Sequence, residues 1–182
     1  GIAKMLDQTN LSMMLKNKNL LKNKAYINGA WIDAKSGKSF EVINPSSGEI
    51  IVNVPDLDVD DARRAIDAAH QAFPDWSKKT AKERSNILNK FCKLMLENAD
   101  DLAAILTAEM GKPLAEAKGE ITYGASFIEW FAEEGKRVYG ETIPGHQEDK
   151  RIIVLKQPVG VVAAITPWNF PNAMITRKLG PA

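Results

Sequence analysis

The sequence predicts an α/β protein, on three observations. Short β-prone segments at residues 25–55 precede four helical stretches. Behind the helices, Val159-Gly160-Val161-Val162-Ala163-Ala164-Ile165 is a continuous apolar run of small and β-branched residues. That pattern suits a strand buried on both faces of a parallel sheet. The run ends in Thr166-Pro167-Trp168-Asn169-Phe170-Pro171, a turn that hands over to another helical pattern running to the last residue. A doubly covered strand needs neighbours reached by helical crossovers. No second candidate follows before Ala182, so the expectation is a chain cut within a fold.

Residues 1–24 hold Met5, Met13 and Met14 and a stretch rich in lysine and asparagine. They lack a compact apolar segment followed by a small-residue cleavage site, which favours a tail or short docking helix over an export signal. Residues 25–32 and 40–43 flank turn chemistry at Ser36-Gly37, and Asn44-Pro45-Ser46-Ser47-Gly48 punctuates before residues 50–54. Short antiparallel strands, rather than a core sheet, are expected there.

Asp58 is placed to cap the first helix, with Ala62, Ala65, Ile66, Ala69 and Phe73 on one face. Thr80-Ala81-Lys82-Glu83 is a capping box, and Ile87, Leu88, Phe91, Leu94 and Met95 form the expected buried stripe behind it. Asn98 is placed to cap a third helix that stops at Met110-Gly111. Pro113 suits the first turn of a fourth, running to about Val138. Residues 151–155, flanked by Lys150 and Lys156, suggest an edge ribbon.

Composition narrows the function classes. The chain has 182 residues, 24 basic and 23 acidic side chains, and a net charge of +1, so nothing draws it to nucleic acid or an anionic membrane. No apolar run approaches the roughly 20 residues of a membrane helix. The single cysteine, Cys92, precludes an internal disulfide and fits a reducing cytoplasm. It lies in a helix beside apolar residues with no histidine near, which favours packing over reactivity. His70 and His146 lack metal-ligand spacing, so no metal site is expected.

The turn at residues 166–171 resembles the strand-to-helix turn of NAD(P)-dependent aldehyde dehydrogenases. The resemblance extends to Glu109-Met110-Gly111-Lys112-Pro113, Glu116-Ala117-Lys118-Gly119-Glu120, Phe127-Ile128-Glu129-Trp130-Phe131-Ala132-Glu133-Glu134 and Met174-Ile175-Thr176-Arg177-Lys178. Together these look like the succinate-semialdehyde dehydrogenase branch, over roughly residues 26–182. The resemblance implies the amino-terminal part of the family fold. Residues 25–138 and 159–182 would form an incomplete Rossmann-like NAD(P)-binding domain, and residues 139–158 an antiparallel β oligomerisation ribbon. The catalytic domain would be absent.

It further implies oxidation of a short acidic aldehyde, best matched by succinic semialdehyde going to succinate, with NADP or NAD, by a homodimer or homotetramer. The family's nucleophilic cysteine, its water-activating glutamate and its glycine-rich helix start would lie beyond residue 182, leaving this chain inactive alone. Two alternatives stay open. One is a related enzyme for glutarate semialdehyde; the other is a non-catalytic oligomerisation or cofactor-binding module.

Site residues follow from the same match. Asn169 corresponds to the oxyanion-hole asparagine, whose amide donates without titrating where charge develops; without the motif it would read as a helix cap. Ile165, Thr166, Pro167, Trp168 and Asn169 correspond to cofactor-groove positions, although a strand end plugged by an aromatic would look similar. Arg177 corresponds to the arginine that grips the substrate's distal carboxylate with a planar fork; the plainer reading is a solvated surface arginine. Phe170, with Tyr123 and Phe127, is a candidate for the aldehyde tunnel, against the ordinary core role of aromatics at i and i+4.

Overall fold

The computed structural model describes the backbone of residues 8–182, and side chains from residue 11 onward. The first seven residues, Met5 among them, lie outside the described part. Helix α1, Gln8–Met14, is followed by Leu15; Leu11 and Leu15 are buried against Ile51, Val52, Ala104 and Ala108. The segment after α1 is fixed by Asp101, whose carboxylate accepts the backbone N–H groups of Lys16 (3.0 Å) and Asn17 (2.8 Å).

Strands β1, Ala25–Ile27, and β2, Ala30–Ile32, pair through Asn28-Gly29. Both turn residues have positive φ, 50° and 78°, which the tight hairpin turn requires and which Asn-Gly accepts at low steric cost. Residues 25–32 are therefore a hairpin rather than one strand, and Ser36-Gly37 joins two hairpins instead of closing one. The second hairpin pairs β3, Ser39–Ile43, with β4, Ile50–Pro55. The Asn44 side chain organises its loop by accepting the Ser46 N–H at 2.9 Å.

The helix starts follow their capping signals. Helix α2, Val59–Lys78, begins with a capping box between Asp58 and Asp61; α3, Ala81–Glu97, begins with the Thr80–Glu83 box. Helix α4, Ala99–Met110, stops at Gly111 with φ 81°, the left-handed value that glycine adopts without Cβ strain. Asn98 departs from expectation: its amide turns back to the Leu94 carbonyl at 2.8 Å and makes no side-chain cap. Helix α5, Leu114–Glu134, ends four residues before the expected Val138 and tightens into a 3₁₀ turn, Gly135–Arg137.

Helix α5 is the hub. Its buried residues Ala117, Ile121, Gly124, Ala125, Ile128 and Ala132 repeat at three- and four-residue intervals, the spacing of one helical face. Ala117 and Ile121 meet Ala103 and Leu106 of α4, while Ala125 and Ile128 meet Cys92 and Met95 of α3. On α3 only Met95 of the expected stripe is buried and Leu88 is half-buried; Ile87, Phe91 and Leu94 are exposed. The α3 surface facing α5 is instead Ser85, Leu88, Cys92 and Met95. On α2, Ala62, Ala65, Ile66 and Ala69 are exposed and Phe73 is half-buried, because no described element lies over that face.

Strands β5, Glu141–Pro144, and β6, Arg151–Val154, form an exposed hairpin. Every sheet among the described residues is a two-stranded antiparallel pair. Residues 159–165 correct the expectation of a doubly buried parallel strand. They are not assigned to a strand, and Val159 is 94% and Ile165 89% exposed. The physical reason is that no described segment offers a hydrogen-bonding edge beside them. The last helix, α6, Pro171–Leu179, ends at Gly180 rather than at the last residue. No helix among the described residues is long and apolar enough to cross a membrane.

Asp61 sets an acid limit on α2. Burial alone would raise its pKa, but N–H groups of Asp58 and Lys35 and the Arg64 guanidinium outweigh that and hold it below the ordinary aspartate value. A depressed folded-state pKa gives stability that is present above the unfolded value, about 4, and is lost as pH falls below it. Urea unfolding across a pH series should show Asp61→Asn less stable near neutrality, with a flatter decline on the acid side than the parent.

Candidate functional site

The turn at residues 166–171 lies between the extended stretch and α6. Pro171 opens α6 with its ring pre-set for a helix, but the preceding Phe170 provides no side-chain cap. The missing cap comes from α5. Glu120, almost wholly buried, accepts the backbone N–H groups of Asn172 (3.0 Å) and Ala173 (3.2 Å) through Oε1. A carboxylate at this position meets both the unpaired donors and the positive end of the helix dipole.

The other oxygen of Glu120 meets Lys112. Lys112 Nζ donates to Glu120 Oε2 at 2.7 Å and to the Asn169 carbonyl oxygen at 3.0 Å, and lies 3.7 Å from the centre of the Phe170 ring. The pair is 8% and 1% exposed. At that depth, removing one partner costs about 3–5 kcal/mol, because the survivor is left charged and uncompensated. One ion pair thus joins the α4–α5 turn, the middle of α5, the 166–171 turn and the start of α6.

The expected site residues fall into two groups around this crossing. Ile165, Thr166, Pro167, Trp168 and Asn169 form an exposed stretch, with Trp168 78% exposed. Asn169 is tethered by its own carbonyl, and its neighbour Phe170 is held against Lys112. Arg177 stands further along α6. Its guanidinium donates to the Tyr123 hydroxyl and stacks over Phe127 at 4.8 Å, while Tyr123 and Phe127 meet edge-on at 4.8 Å. Tyr123 and Phe127 are therefore neighbours of Arg177, apart from the Phe170–Lys112 contact. Gly124 lies between the groups: a Cβ there would come within 2.1 Å of Asn172 Oδ1, so glycine lets α5 and α6 approach.

Neither Lys112 nor Glu120 carries a role in the motif reading, although a signal for one was present. Glu120 falls on the same helical face as Ala117, Ile121 and Gly124. A carboxylate on a small, apolar face must find a partner or lose its hydration uncompensated. The partner itself, Lys112, follows a turn whose path only the fold reveals.

Cys92 behaves as a packed side chain. Burial, and after it the charge of Glu129, push its thiol above the ordinary cysteine value, which disfavours the nucleophilic thiolate. A broad depression along β5–β6, lined by residues including Pro144, His146 and Arg151, shares no residue with the turn.

These features match a known family. The aldehyde dehydrogenase family model matches residues 31–182, and the chain belongs to that family. It is 62% identical over 170 residues to the glutarate-semialdehyde dehydrogenase of Pseudomonas aeruginosa, covering 93% of this chain and 35% of that protein. It is also 62% identical over 170 residues to the NADP(+) succinate-semialdehyde dehydrogenase GabD of Escherichia coli, with the same coverage. The crystal structure of succinate-semialdehyde dehydrogenase from Burkholderia pseudomallei superposes with a TM-score of 0.91 at 57% identity, over 93% of this chain and 35% of that one. The chain thus spans about a third of the length of these relatives.

Cys92 should react with a disulfide reagent only on unfolding. Rapid reaction in the folded protein, followed by release of the reagent's coloured thiolate, would show a reactive rather than a packed thiol.

Proposed function

We propose that this chain is the amino-terminal portion of an NAD(P)-dependent succinate-semialdehyde dehydrogenase, inactive in isolation. The observation that carries the proposal is the seat of Arg177. Its guanidinium is held by the Tyr123 hydroxyl over the Phe127 ring, yet the residue remains exposed. An arginine so braced keeps donors for a carboxylate, at less entropic cost than a free side chain. Arg177 stands six residues into α6, about 9 Å of helix rise from Pro171, and an arginine leaning back toward the helix start shortens the gap to a four-carbon acid aldehyde.

In this reading a thiolate outside the chain attacks the aldehyde carbon, and the Asn169 amide donates to the oxyanion that develops. Arg177 grips the distal carboxylate. Ile165, Thr166, Pro167 and Trp168 line the cofactor groove; a mostly apolar, solvent-open stretch with one hydroxyl fits such a surface. NADP or NAD supplies the hydride acceptor when bound. The exposed hairpin within residues 139–158 pairs subunits into a homodimer or homotetramer, in keeping with its unpaired edges. A cytoplasmic location belongs to the same reading, in keeping with the single cysteine.

A second reading has a specific observation in its favour: glutarate-semialdehyde dehydrogenases match as well as the succinate enzyme does. The two substrates differ by one methylene, a difference worth about 1–3 kcal/mol in a pocket. The ratio of kcat/KM for the two semialdehydes, measured on the full-length protein, decides between them.

Arg177→Leu tests the proposal. KM should rise for succinic semialdehyde by about 30-fold or more, corresponding to a lost charged hydrogen bond, and change little for a neutral aldehyde. Equal losses for both substrates would remove Arg177 from carboxylate recognition.

A further inference from the structure

We infer that Lys112 and Glu120 are positioning residues for Asn169, acting through its backbone; the inference rests on the reading of Asn169 as the oxyanion donor. Lys112 Nζ holds the Asn169 carbonyl at 3.0 Å and Glu120 at 2.7 Å. Glu120 in turn holds the N–H groups of Asn172 and Ala173. The backbone is thus gripped at Asn169 and again at the start of α6, on either side of Phe170 and Pro171. Phe170 is itself pressed against the Lys112 ammonium.

This grip bears on chemistry because the turn has little else to hold it. Residues 161–171 are solvent-exposed, and α6 has no side-chain cap of its own. A free carbonyl would let the Asn169 peptide rotate, carrying its side chain away from the place where charge develops. Donors preorganised to within a fraction of an ångström are what such a site needs, and about 1 Å of misplacement costs on the order of 100-fold in rate. The charges of the pair cancel, and both partners are almost fully enclosed. Neither is available to bind substrate directly.

The test is a mutant cycle in the full-length protein, with kcat and KM for succinic semialdehyde. Lys112→Met with Glu120→Gln keeps side-chain length and leaves no lone buried charge. The glutamine oxygen still accepts the α6 N–H groups, so the tie to Asn169 is what is removed. The expected result is a kcat lowered by about 10- to 100-fold, with KM changed less than about threefold. Asn169→Ala should lower kcat by at least about 100-fold, and adding the double substitution to it should cost nothing further. A full additional loss in the Asn169→Ala background would overturn the inference, as would unchanged kcat in the folded double variant. If Asn169→Ala alone leaves kcat intact, the oxyanion reading fails first and takes the inference with it. Should near-ultraviolet circular dichroism show the double variant unfolded, Glu120→Gln alone serves. A smaller kcat loss that vanishes in the Asn169→Ala background supports the inference; an additive loss refutes it.

Discussion

The helical part of this structure depends on how closely other helices approach α5. That helix buries Ala117, Gly124, Ala125 and Ala132 alongside only two large aliphatic residues, Ile121 and Ile128. Small side chains bring α3, α4 and α6 near its axis, where backbone and short polar groups come into reach of one another. Contact at such range makes the polar inventory unforgiving, since water has no room to satisfy what the protein leaves unpaired. Glu120 is the one carboxylate buried on α5, and all of its hydrogen bonds go to groups that bear on the 166–171 turn.

The crossing of α5 and α6 therefore does two jobs with one geometry. Near the start of α6, a buried ion pair fixes backbone. Further along, Tyr123 and Phe127 brace an exposed guanidinium. The first needs exclusion of water, the second needs access to it. A gradient from enclosed to open along a single interface places a fixed backbone and an exposed guanidinium on the same two elements. The substrate proposed above, with an aldehyde at one terminus and a carboxylate at the other, would span them.

Much of this was legible in the sequence where the rule is local. Asp58, Thr80 and Gly111 act at the helix termini their chemistry suggests, since a cap is settled within one turn. Asn28-Gly29 was legible too, as the shortest hairpin signal there is, yet the apolar residues on either side conceal it within one longer strand. Asn98 fails as a cap because its amide finds the Leu94 carbonyl, a local competitor. Burial of long stripes was harder. Periodicity marks the apolar face of α2 and α3, but whether anything covers it depends on what else packs there. Residues 159–165 make the same point: β propensity describes a segment, whereas a strand is a property of two. The Lys112–Glu120 tie to Asn169 spans 57 residues, and no local pattern encodes a contact of that range.

The way α6 begins has an electrostatic corollary. Helix starts in nucleotide-binding α/β proteins often receive phosphate, because their first N–H groups are free and the dipole favours an anion. Here the N–H groups of Asn172 and Ala173 are already taken by an internal carboxylate, and Pro171 has none to give. An incoming phosphate would meet a saturated and locally neutralised terminus. On the proposed reading, the anionic part of a dinucleotide would find no free backbone donors at this helix start, and the 166–171 turn would offer it only uncharged surface.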